Sequence, residues 1–443
     1  MTEPRPAQIP RPMPERPVIV VGGGMAGLTA SVSLHEAGLP VQLLEASDGV
    51  GGRIRTDRHP AGFLLDRGFQ VLLEAYPFAR RWIDLAALAP APFDAGALIW
   101  TGRRLVPLAD PRRHPGAVLR DLTSPVFSAT DKVRLARLAL HAASGPWRSA
   151  REAATAAPDQ SAAEALWSAG YSSAFVERFA RPFWGGITLD PSLGLSAGPL
   201  WFTLKMFLAG RALLPRTGVG AMPDQLRRRL PDVAVACGAR VERVIVEAGR
   251  ATGVAIDGRV QPGAAVIVAT DPPAARALTG LDALPDRRDG VGSLTVFLAG
   301  RRDSNIGPRL VLDGTGRLTF NHLAPLSTVQ PAYAPPGSHL LAAVIIGTRL
   351  DEGDDATLAV RARNDVAVLL GHAPSDWDIV RTVRVPFSQF AQPPGIYARL
   401  PGNQTPIDGL YLASEATVDS SYNGAIASGE AAARLVQQAA AAP

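Results

Sequence analysis

Residues 18–27 read Val18-Ile19-Val20-Val21-Gly22-Gly23-Gly24-Met25-Ala26-Gly27, a short apolar run that passes directly into a glycine-rich turn. Four apolar, β-branched residues in a row are typical of a strand buried in a parallel sheet. The pattern Gly-x-Gly-x-x-Gly then opens a predicted helix over 28–37, which Gly38 ends. A second strand is predicted over 41–44, and Glu45 stands at its end. The order of these parts predicts a β-α-β unit.

The chemistry of this unit is that of a dinucleotide site. Its three glycines give a tight turn, a close approach to a pyrophosphate and close packing of helix on strand. The residues that would surround the phosphates at the helix N-terminus, where free N–H groups favour an anion, are Gly22, Gly24, Met25, Ala26 and Gly27. Glu45 is placed to accept the ribose hydroxyls, and its charge disfavours a 2′-phosphate. The sequence therefore predicts dinucleotide binding.

The composition is that of a globular protein. At 443 residues the chain is long enough for two domains or one interleaved pair. Its formal net charge is +5, and arginine supplies almost all of the positive charge, since lysine occurs only at Lys132 and Lys205. We interpret short basic clusters such as 227–229 as solvated helix faces. We therefore expect no nucleic-acid partner.

Cys237 is the only cysteine in the sequence. One cysteine excludes a disulfide framework, a zinc cluster built from cysteines and a paired-cysteine redox site within one chain. If the protein moves electrons, a bound cofactor has to carry them. We interpret Cys237 as a small core residue and expect no metal site.

The first 16 residues are rich in proline and lack a continuous apolar segment. This pattern predicts a disordered leader over 1–16 and is unlike a signal peptide. The sequence also lacks the run of about 20 apolar residues that a membrane-spanning helix needs. We expect a cytoplasmic protein that makes at most a peripheral contact with a membrane.

The run that follows the second strand carries a family resemblance. Residues 45–53 read Glu-Ala-Ser-Asp-Gly-Val-Gly-Gly-Arg. This stretch resembles the E-A-x-x-x-x-G-G-R segment of the flavin-containing amine oxidase superfamily, which includes monoamine oxidases, protoporphyrinogen oxidases and carotenoid desaturases. The resemblance implies that Ala46, Gly51 and Gly52 lie close to an FAD diphosphate. It also implies that Arg53 adds charge-assisted hydrogen bonds.

Two further stretches resemble landmarks of the same superfamily. Residues 65–70 resemble the segment where the backbone passes the isoalloxazine edge, which implies cofactor contacts from Gly68, Phe69 and Gln70. Residues 408–431 resemble its C-terminal ending, in which an acid meets the ribityl or diphosphate part. The C-terminal residues that the resemblance assigns to the cofactor are Glu415, Asn423, Gly424, Ala425 and Ile426. The last helix would point its positive end at the flavin pyrimidine.

The middle of the chain resembles the remaining FAD segment. Strands are predicted over 240–246 and 264–269, and the second leads to Ala269 at the expected site. In the superfamily a valine of this segment packs on the adenine, and Val244 is the first candidate, with Val241 close behind. Because Cys237 has no counterpart among covalent-flavin cysteines, the resemblance implies FAD that is bound non-covalently.

The resemblance also implies the architecture, an α/β protein with a Rossmann-like FAD-binding domain and an interleaved α+β substrate domain. We expect helices over 128–143 and 161–179 and strands over 294–299 and 340–346 in the substrate domain. The FAD-binding domain is predicted to comprise residues 17–72, 218–272 and 396–440, and the substrate domain 73–217 and 273–395.

The reaction class stays open between three alternatives. Residues 181–187, 213–223 and 383–387 resemble the phytoene-desaturase-like branch, which implies hydride transfer from a small lipophilic, isoprenoid-like substrate to flavin N5. The second alternative is oxidation of an amine or a porphyrinogen. The third, a prenyl-binding protein like the GDP-dissociation inhibitors, is disfavoured by the intact cofactor motifs.

Two observations weigh against an amine substrate. The predicted strand 292–298 has no lysine, and Tyr422 lies one place nearer Gly424 than an amine cage would have it. His322 and His372 are candidates for proton transfer. The aromatic residues that could line a lipid tunnel, or could equally be core, are Phe183, Trp184, Trp201, Phe202 and Phe207.

Overall fold

The computed structural model describes residues 16–117, 124, 126–156 and 159–441. The predicted leader over 1–16 lies outside the described residues, apart from Arg16. The protein has the predicted mixed α/β architecture, with a parallel sheet and a larger, mainly antiparallel one. Each sheet collects strands from distant parts of the chain.

A five-stranded sheet holds the strand with which the glycine-rich motif begins. Its strands, in order across the sheet, are Val235–Cys237, Val41–Glu45, Val18–Val21, Ala265–Val268 and Leu410–Leu412. All neighbouring strands run parallel. The carboxyl ends of the strands therefore meet at one edge, which brings together the residues that follow them.

The first helix and the last helix cross on this sheet. Met25–Glu36 packs against Tyr422–Ala441, and the two backbones approach closely at Gly429. A Cβ atom at Gly429 would lie 2.2 Å from the carbonyl oxygen of Ala26. Only a glycine allows this approach, which fixes the C-terminal helix beside the glycine-rich turn.

A seven-stranded sheet forms the second body of the structure. Its strands, in order, are Asp378–Phe390, Gly290–Gly300, His339–Ile346, His322–Ala324, Leu310–Asp313, Gly96–Trp100 and Leu105–Ala109. Its strand pairs are antiparallel, except that Leu310–Asp313 runs parallel to Gly96–Trp100. The helix Asp355–Leu370 covers one face through Leu358, Ala362 and Val366. The predicted strands over 294–299 and 340–346 thus lie within longer strands.

The other strands form three small antiparallel sheets. They pair Val241–Glu247 with Arg250–Ile256 and Arg259–Pro262, Thr56–Arg58 with Leu64–Asp66, and Ala212–Leu214 with Leu72–Leu73 and Ala91–Pro92. The α-helices of the described chain are Met25–Glu36, Ala79–Trp82, Ala129–Ser144, Ala150–Thr155, Ala162–Ser168, Ser173–Phe175, Arg181–Thr188, Ala197–Ala209, Ala221–Arg227, Pro272–Thr279, Leu326–Val329, Asp355–Leu370, Ile396–Arg399 and Tyr422–Ala441. None of the helices in these described ranges combines the length and apolar composition needed to cross a bilayer.

Two expectations from the sequence need correction. The helix predicted over 161–179 is broken, because Gly170 at φ +79° ends the segment Ala162–Ser168 and the chain resumes as a short helix and a π-helical turn. Cys237 is exposed, and so it is not a core residue. It ends the edge strand of the parallel sheet, where one side of the strand has no neighbour to cover it.

The helix crossing can be tested with one methyl group. We expect Gly429→Ala to lower the free energy of unfolding by about 1–3 kcal/mol, because the added Cβ overlaps the Ala26 carbonyl and forces the helices apart. Urea unfolding followed by circular dichroism measures the change. Gly402→Ala is the control, since Gly402 is exposed and a Cβ there meets no atom within 4 Å. Equal stability of the two variants would contradict the close crossing.

Candidate functional site

A cavity of about 1440 Å³ opens at the carboxyl edge of the parallel sheet. One end is bounded by the loops that follow the parallel strands, including those at Gly22, Glu45 and Ala269. The cavity continues past the seven-stranded sheet at Ser293 and into the helical layer at Phe183. A single space therefore joins the predicted cofactor residues to the predicted substrate domain.

The three positions of the first motif need glycine for different physical reasons. Gly22 has φ +108°, and a Cβ there would lie 2.6 Å from the carbonyl oxygen of Ala269. A Cβ at Gly27 would lie 1.9 Å from the carbonyl oxygen of Gly22. At Gly24, by contrast, an added Cβ meets no atom of the described chain within 4 Å. Packing explains Gly22 and Gly27, whereas Gly24 borders open space, as expected where a ligand passes.

The Glu45 carboxylate is fixed at the same edge. One oxygen accepts a hydrogen bond from the Gly23 N–H at 2.7 Å, and the other accepts one from the Ser47 N–H at 2.8 Å. Glu45 and Ala46 both line the cavity. Because carboxylate oxygens can accept further hydrogen bonds, Glu45 keeps capacity for ligand hydroxyls.

The second glycine pair lies opposite the first motif. Gly51 and Gly52 have φ +112° and +58°, which favours glycine at both positions. A Cβ at Gly52 would lie 3.5 Å from the Cα of Gly24. Gly24, Gly51 and Gly52 all line the cavity. Side-chain-free backbone thus borders this part of the cavity on both sides, which suits a diphosphate.

Arg53 ties the two ends of the chain together. One terminal nitrogen is paired with the Glu415 carboxylate, and the other donates to the backbone carbonyl of Ser388 at 2.5 Å. The amide of Gln70 donates to the Arg53 carbonyl at 2.9 Å. Arg53, Gln70, Ser388 and Glu415 all line the cavity. Arg53 therefore organises the wall that the sequence assigned to the cofactor.

Glu415 carries the clearest sign that this wall faces a ligand. Its side chain is 7% exposed, and its Oε1 atom is buried without a hydrogen-bond partner in the described chain. Leaving a buried acceptor unsatisfied costs roughly 1–3 kcal/mol. A hydroxyl of a bound ligand would satisfy it. The donor set of this wall, a carboxylate oxygen beside an arginine and open glycine backbone, fits the ribityl and diphosphate parts of FAD.

The segment 68–70 lies along the cavity wall. Gly68, Phe69 and Gln70 line it, and the Phe69 N–H donates to the Thr295 hydroxyl at 3.1 Å. The Phe69 ring lies 5.3 Å from the imidazole of His322, between ring centres. This segment therefore brings an aromatic ring and an amide side chain to one stretch of the cavity wall.

The C-terminal motif is brought to the cavity only in part. Ala425 lines it, whereas Asn423, Gly424 and Ile426 lie outside the lining. Asn423 instead bridges two other segments, accepting from the Phe78 N–H at 3.0 Å and donating to the Arg148 carbonyl at 3.2 Å. A Cβ at Gly424 would lie 2.4 Å from the Asp419 carbonyl oxygen. These residues position the final helix rather than border the open space.

Of the two valine candidates in the middle segment, the second one lines the cavity. Val244 lies outside the cavity lining, whereas Val241, the alternative, lines it together with Ala239 and Ala269. Val241 begins the strand next to the parallel sheet, and Val244 lies three residues farther from the cavity. The apolar contact at the polar end of the cavity therefore comes from Val241.

The far part of the cavity is mainly aromatic and aliphatic. Of the five tunnel candidates, Trp201 lies outside the lining, and the four that line it are Phe183, Trp184, Phe202 and Phe207. Phe127 and Phe179 line it as well. The rings of Phe179 and Phe183 are stacked at 5.3 Å. This branch offers dispersion and hydrophobic contacts to an apolar ligand.

The two candidate histidines are separated. His322 lines the cavity, and burial lowers its pKa to about 4, so the ring is neutral near pH 7. Its Nδ1 atom lies 2.9 Å from the Asn321 side-chain oxygen. His372 lies outside the lining and stacks on Trp377 at 5.9 Å. On the strand Gly290–Gly300, Ser293 lines the cavity, and its hydroxyl lies 3.1 Å from that of Ser388.

Some lining residues were not identified from the sequence, among them Ser388, Tyr76 and Asp419. Ser388 contributes its carbonyl to Arg53, and Tyr76 and Asp419 face the cavity from opposite ends of the chain. Asp419 had a signal, because it is an acid that stands between Glu415 and the final helix motif. Tyr76 and Ser388 had none, since only tertiary folding brings them to the site.

Comparison with known proteins agrees with this site. The hydroxyneurosporene desaturase of Cereibacter sphaeroides is 28% identical over 342 residues, which is 66% of this chain and 65% of that protein. The human lysine-specific histone demethylase 2 is 39% identical over 64 residues, only 14% of this chain and 8% of that protein. The chain thus spans less than two thirds of the length of these curated relatives.

A solved oxidoreductase from Methanosarcina mazei shares the fold, with a TM-score of 0.71 and 18% identity over 95% of this chain and 99% of that one. The family model described as flavin containing amine oxidoreductase matches residues 25–437. This range includes the second glycine pair, the Arg53–Glu415 ion pair and every cavity-lining residue except Val21, Gly22 and Gly24. The chain therefore belongs to the flavin-containing amine oxidoreductase family.

Proposed function

We propose that the protein is an oxidoreductase that binds FAD non-covalently. Glu45 would hold the adenosine ribose, open backbone at Gly24 and Gly52 the diphosphate, and Glu415 the ribityl chain. The observation that carries this proposal is the buried, unpartnered Oε1 atom of Glu415, a residue that lines the same cavity as the glycines. Cys237 lies on an exposed strand end and outside the cavity lining, which supports attachment without a covalent bond to it.

We propose further that the substrate is a small lipophile of isoprenoid type. The aromatic branch of the cavity would hold the carbon chain and exclude water, and remote apolar contacts would fix one C–H bond for transfer. When bound, FAD would supply the oxidation chemistry by accepting a hydride. The chain's own contribution is orientation, because the branch lined by Phe183 and Phe207 leads toward the segment at Phe69.

Oxidation of an amine is the alternative that the family name suggests. An ammonium group is attracted to the faces of aromatic rings. The rings of Tyr76 and Tyr422 instead meet edge to face, at 66° with centres 4.9 Å apart. The Tyr422 hydroxyl is also fixed, since it accepts a hydrogen bond from the Leu73 N–H at 2.8 Å. These features support a lipophile over an amine.

Entry of a lipophile would be easiest from a membrane surface. Leu140 lines the cavity and is 72% exposed, so it lies at the mouth, and Val133, 54% exposed, precedes it by two turns on the helix Ala129–Ser144. The basic residues that line the cavity near this helix are Arg112, Arg113, Lys132 and Arg211. Asp110 and Glu74 pair with Arg112 and Arg211, whereas the Arg113 guanidinium donates to the backbone carbonyl of Gly210. We propose that this helix docks on an anionic lipid surface.

The cofactor site is tested by Gly24→Val. We expect purified wild-type protein to be yellow and to release FAD on acid denaturation, and we expect the variant to retain less than about a tenth of it, because the side chain fills the open approach. Flavin absorbance per protein measures both. Gly402→Val is the control for a valine in an exposed loop. Full FAD content in the variant, or flavin that stays on the denatured chain, would contradict this assignment.

The substrate class is tested by anaerobic bleaching of the flavin. We expect phytoene-like isoprenoids in detergent to reduce it at least tenfold faster than benzylamine, putrescine or amino acids, because the aromatic branch binds carbon chains. Stopped-flow absorbance measures the rates. Fast reduction by an amine, with none by the lipids, would promote the oxidase alternative.

The docking surface is tested by Leu140→Asp. We expect this change to weaken sedimentation with phosphatidylglycerol vesicles about tenfold or more, since burying a leucine side chain is worth about 1.5–3 kcal/mol. Val368→Asp is the matched control, because Val368 is 71% exposed on the helix Asp355–Leu370 and lies outside the cavity lining. Equal vesicle binding by both variants would rule out this helix as the docking surface.

A further inference from the structure

A carboxylate and two hydroxyl groups lie next to one another in the wall of the cavity. The Ser421 hydroxyl donates to the Oδ1 atom of Asp419 at 2.5 Å. Burial raises the pKa of the Tyr76 phenol, and the neighbouring Ser421 side chain lowers it. All three residues line the cavity. These three side chains therefore connect the open space with a buried acid.

The Asp419 carboxylate is held firmly at the end of this chain. Its side chain is 2% exposed, and its Oδ2 atom accepts a hydrogen bond from the Ala150 N–H at 2.7 Å. The Ser421 hydroxyl in turn accepts from the Gly424 N–H at 3.0 Å, which fixes it beside the final helix. These contacts leave the Ser421 hydroxyl as the link between Asp419 and the neighbouring phenol of Tyr76.

The environment suits a group that exchanges a proton near neutral pH. Burial raises the pKa of Asp419 to about 6, against the hydrogen bonds from Ser421 and Ala150, and the negative charges of Glu415 and Glu152 raise it further. Asp419 also acts on two phenols packed against it, because its charge raises the pKa of Tyr76 and that of Tyr397, after the larger effect of burial. Asp419 is thus charged above pH 6 and neutral below it.

We propose that Asp419, acting through Ser421 and Tyr76, accepts the proton that the substrate loses during oxidation. The step rests on the proposed function, in which a C–H bond of the substrate gives a hydride to the flavin. A neighbouring C–H bond then breaks, its electron pair forms the C=C bond, and its proton goes to the Tyr76 oxygen. The Tyr76 proton passes to Ser421, and the Ser421 proton passes to Asp419. The substrate loses one hydride and one proton in total, which together are two electrons and two protons. Asp419 ends as a neutral acid.

A neutral phenol is a sufficient first acceptor for this proton. A carbon next to an allylic cation is strongly acidic, so the proton needs a nearby oxygen rather than a strong base. The transfer is favourable because it ends on a carboxylate. Tyr76 becomes neither a phenolate nor a protonated phenol. Tyr76 is held for this role by stacking on Phe202, with ring centres 5.8 Å apart and planes 5° apart.

His322 is the competing proton acceptor in the same cavity. If His322 accepted the proton, the oxidation rate would fall only below about pH 4, its pKa, whereas the pKa of Asp419 is about 6. It also lies on a different wall, beside Phe69 and Asn321. The pH dependence of oxidation therefore distinguishes the two groups.

The first experiment is an infrared titration of the FAD-loaded protein. We expect the signal of a protonated carboxylic acid to appear with a midpoint near pH 6 and to be lost in Asp419→Asn. Asp66 is the needed control, because burial raises its pKa to about 6 as well and it lies outside the cavity lining. In Asp66→Asn the Asp419 signal should remain. A signal unchanged by Asp419→Asn overturns the proposal.

The second experiment measures the rate of flavin reduction against pH. The substrate is whichever panel compound reduces the wild-type flavin fastest, so failure of the proposed substrate class and failure of this relay stay distinguishable. We expect the wild-type rate to fall tenfold per pH unit below pH 6. In Asp419→Asn this limb should vanish and the plateau should fall about 10²-fold, a usual contribution of acid–base catalysis.

Two further variants separate proton transfer from a merely structural role. Tyr76→Phe keeps the Asp419 contacts with Ser421 and Ala150, and we expect it to retain the infrared signal while losing about 10²-fold in rate. His322→Gln should keep the limb near pH 6. Wild-type rates in Tyr76→Phe, or a limb that survives in Asp419→Asn and vanishes in His322→Gln, would overturn the proposal.

Discussion

The ion pair between Arg53 and Glu415 is the interaction on which the architecture of the site depends. It joins residues 362 positions apart, and Glu415 is almost fully buried. Removing a carboxylate from water is costly unless charge and hydrogen bonds compensate it. Arg53 does so from one side and also holds the carbonyl of Ser388. The loop after the second strand, the end of the last strand and the edge of the larger sheet are thereby locked around one space.

The remaining oxygen of Glu415 gives this arrangement its chemical direction. A fully satisfied ion pair would be a structural element only. Here the second oxygen is buried and unpartnered in the described chain, so the folded protein retains an acceptor that a bound ligand can use. The polar end recognises a ligand by such acceptors and by open backbone, whereas the aromatic branch offers shape and apolar surface. One cavity thus combines two kinds of recognition.

The sequence predicted most of what depends on local backbone geometry. Gly22 and Gly27 are required by close packing, and the acid at Glu45 follows from the register of two strands, so each leaves a mark within a short window. Contacts set by tertiary packing leave no such mark. The position of Val241 rather than Val244 in the lining depends on where a separate small sheet meets the parallel one. The exposure of Cys237 depends on which strand lies at the sheet edge, and Tyr76 reaches the cavity through a fold that no local pattern encodes.

The order of the strands has a consequence for synthesis on the ribosome. The edge strand Leu410–Leu412 pairs with Ala265–Val268, and the helix that follows it packs on the first helix of the chain. The glycine-rich turn, although it emerges early, cannot meet its partners until almost the whole chain has been translated. Long-range pairing of this kind folds slowly and exposes apolar strands in the interval. The nascent chain is therefore expected to complete this sheet, and the site at its edge, only after the helix Tyr422–Ala441 has left the exit tunnel.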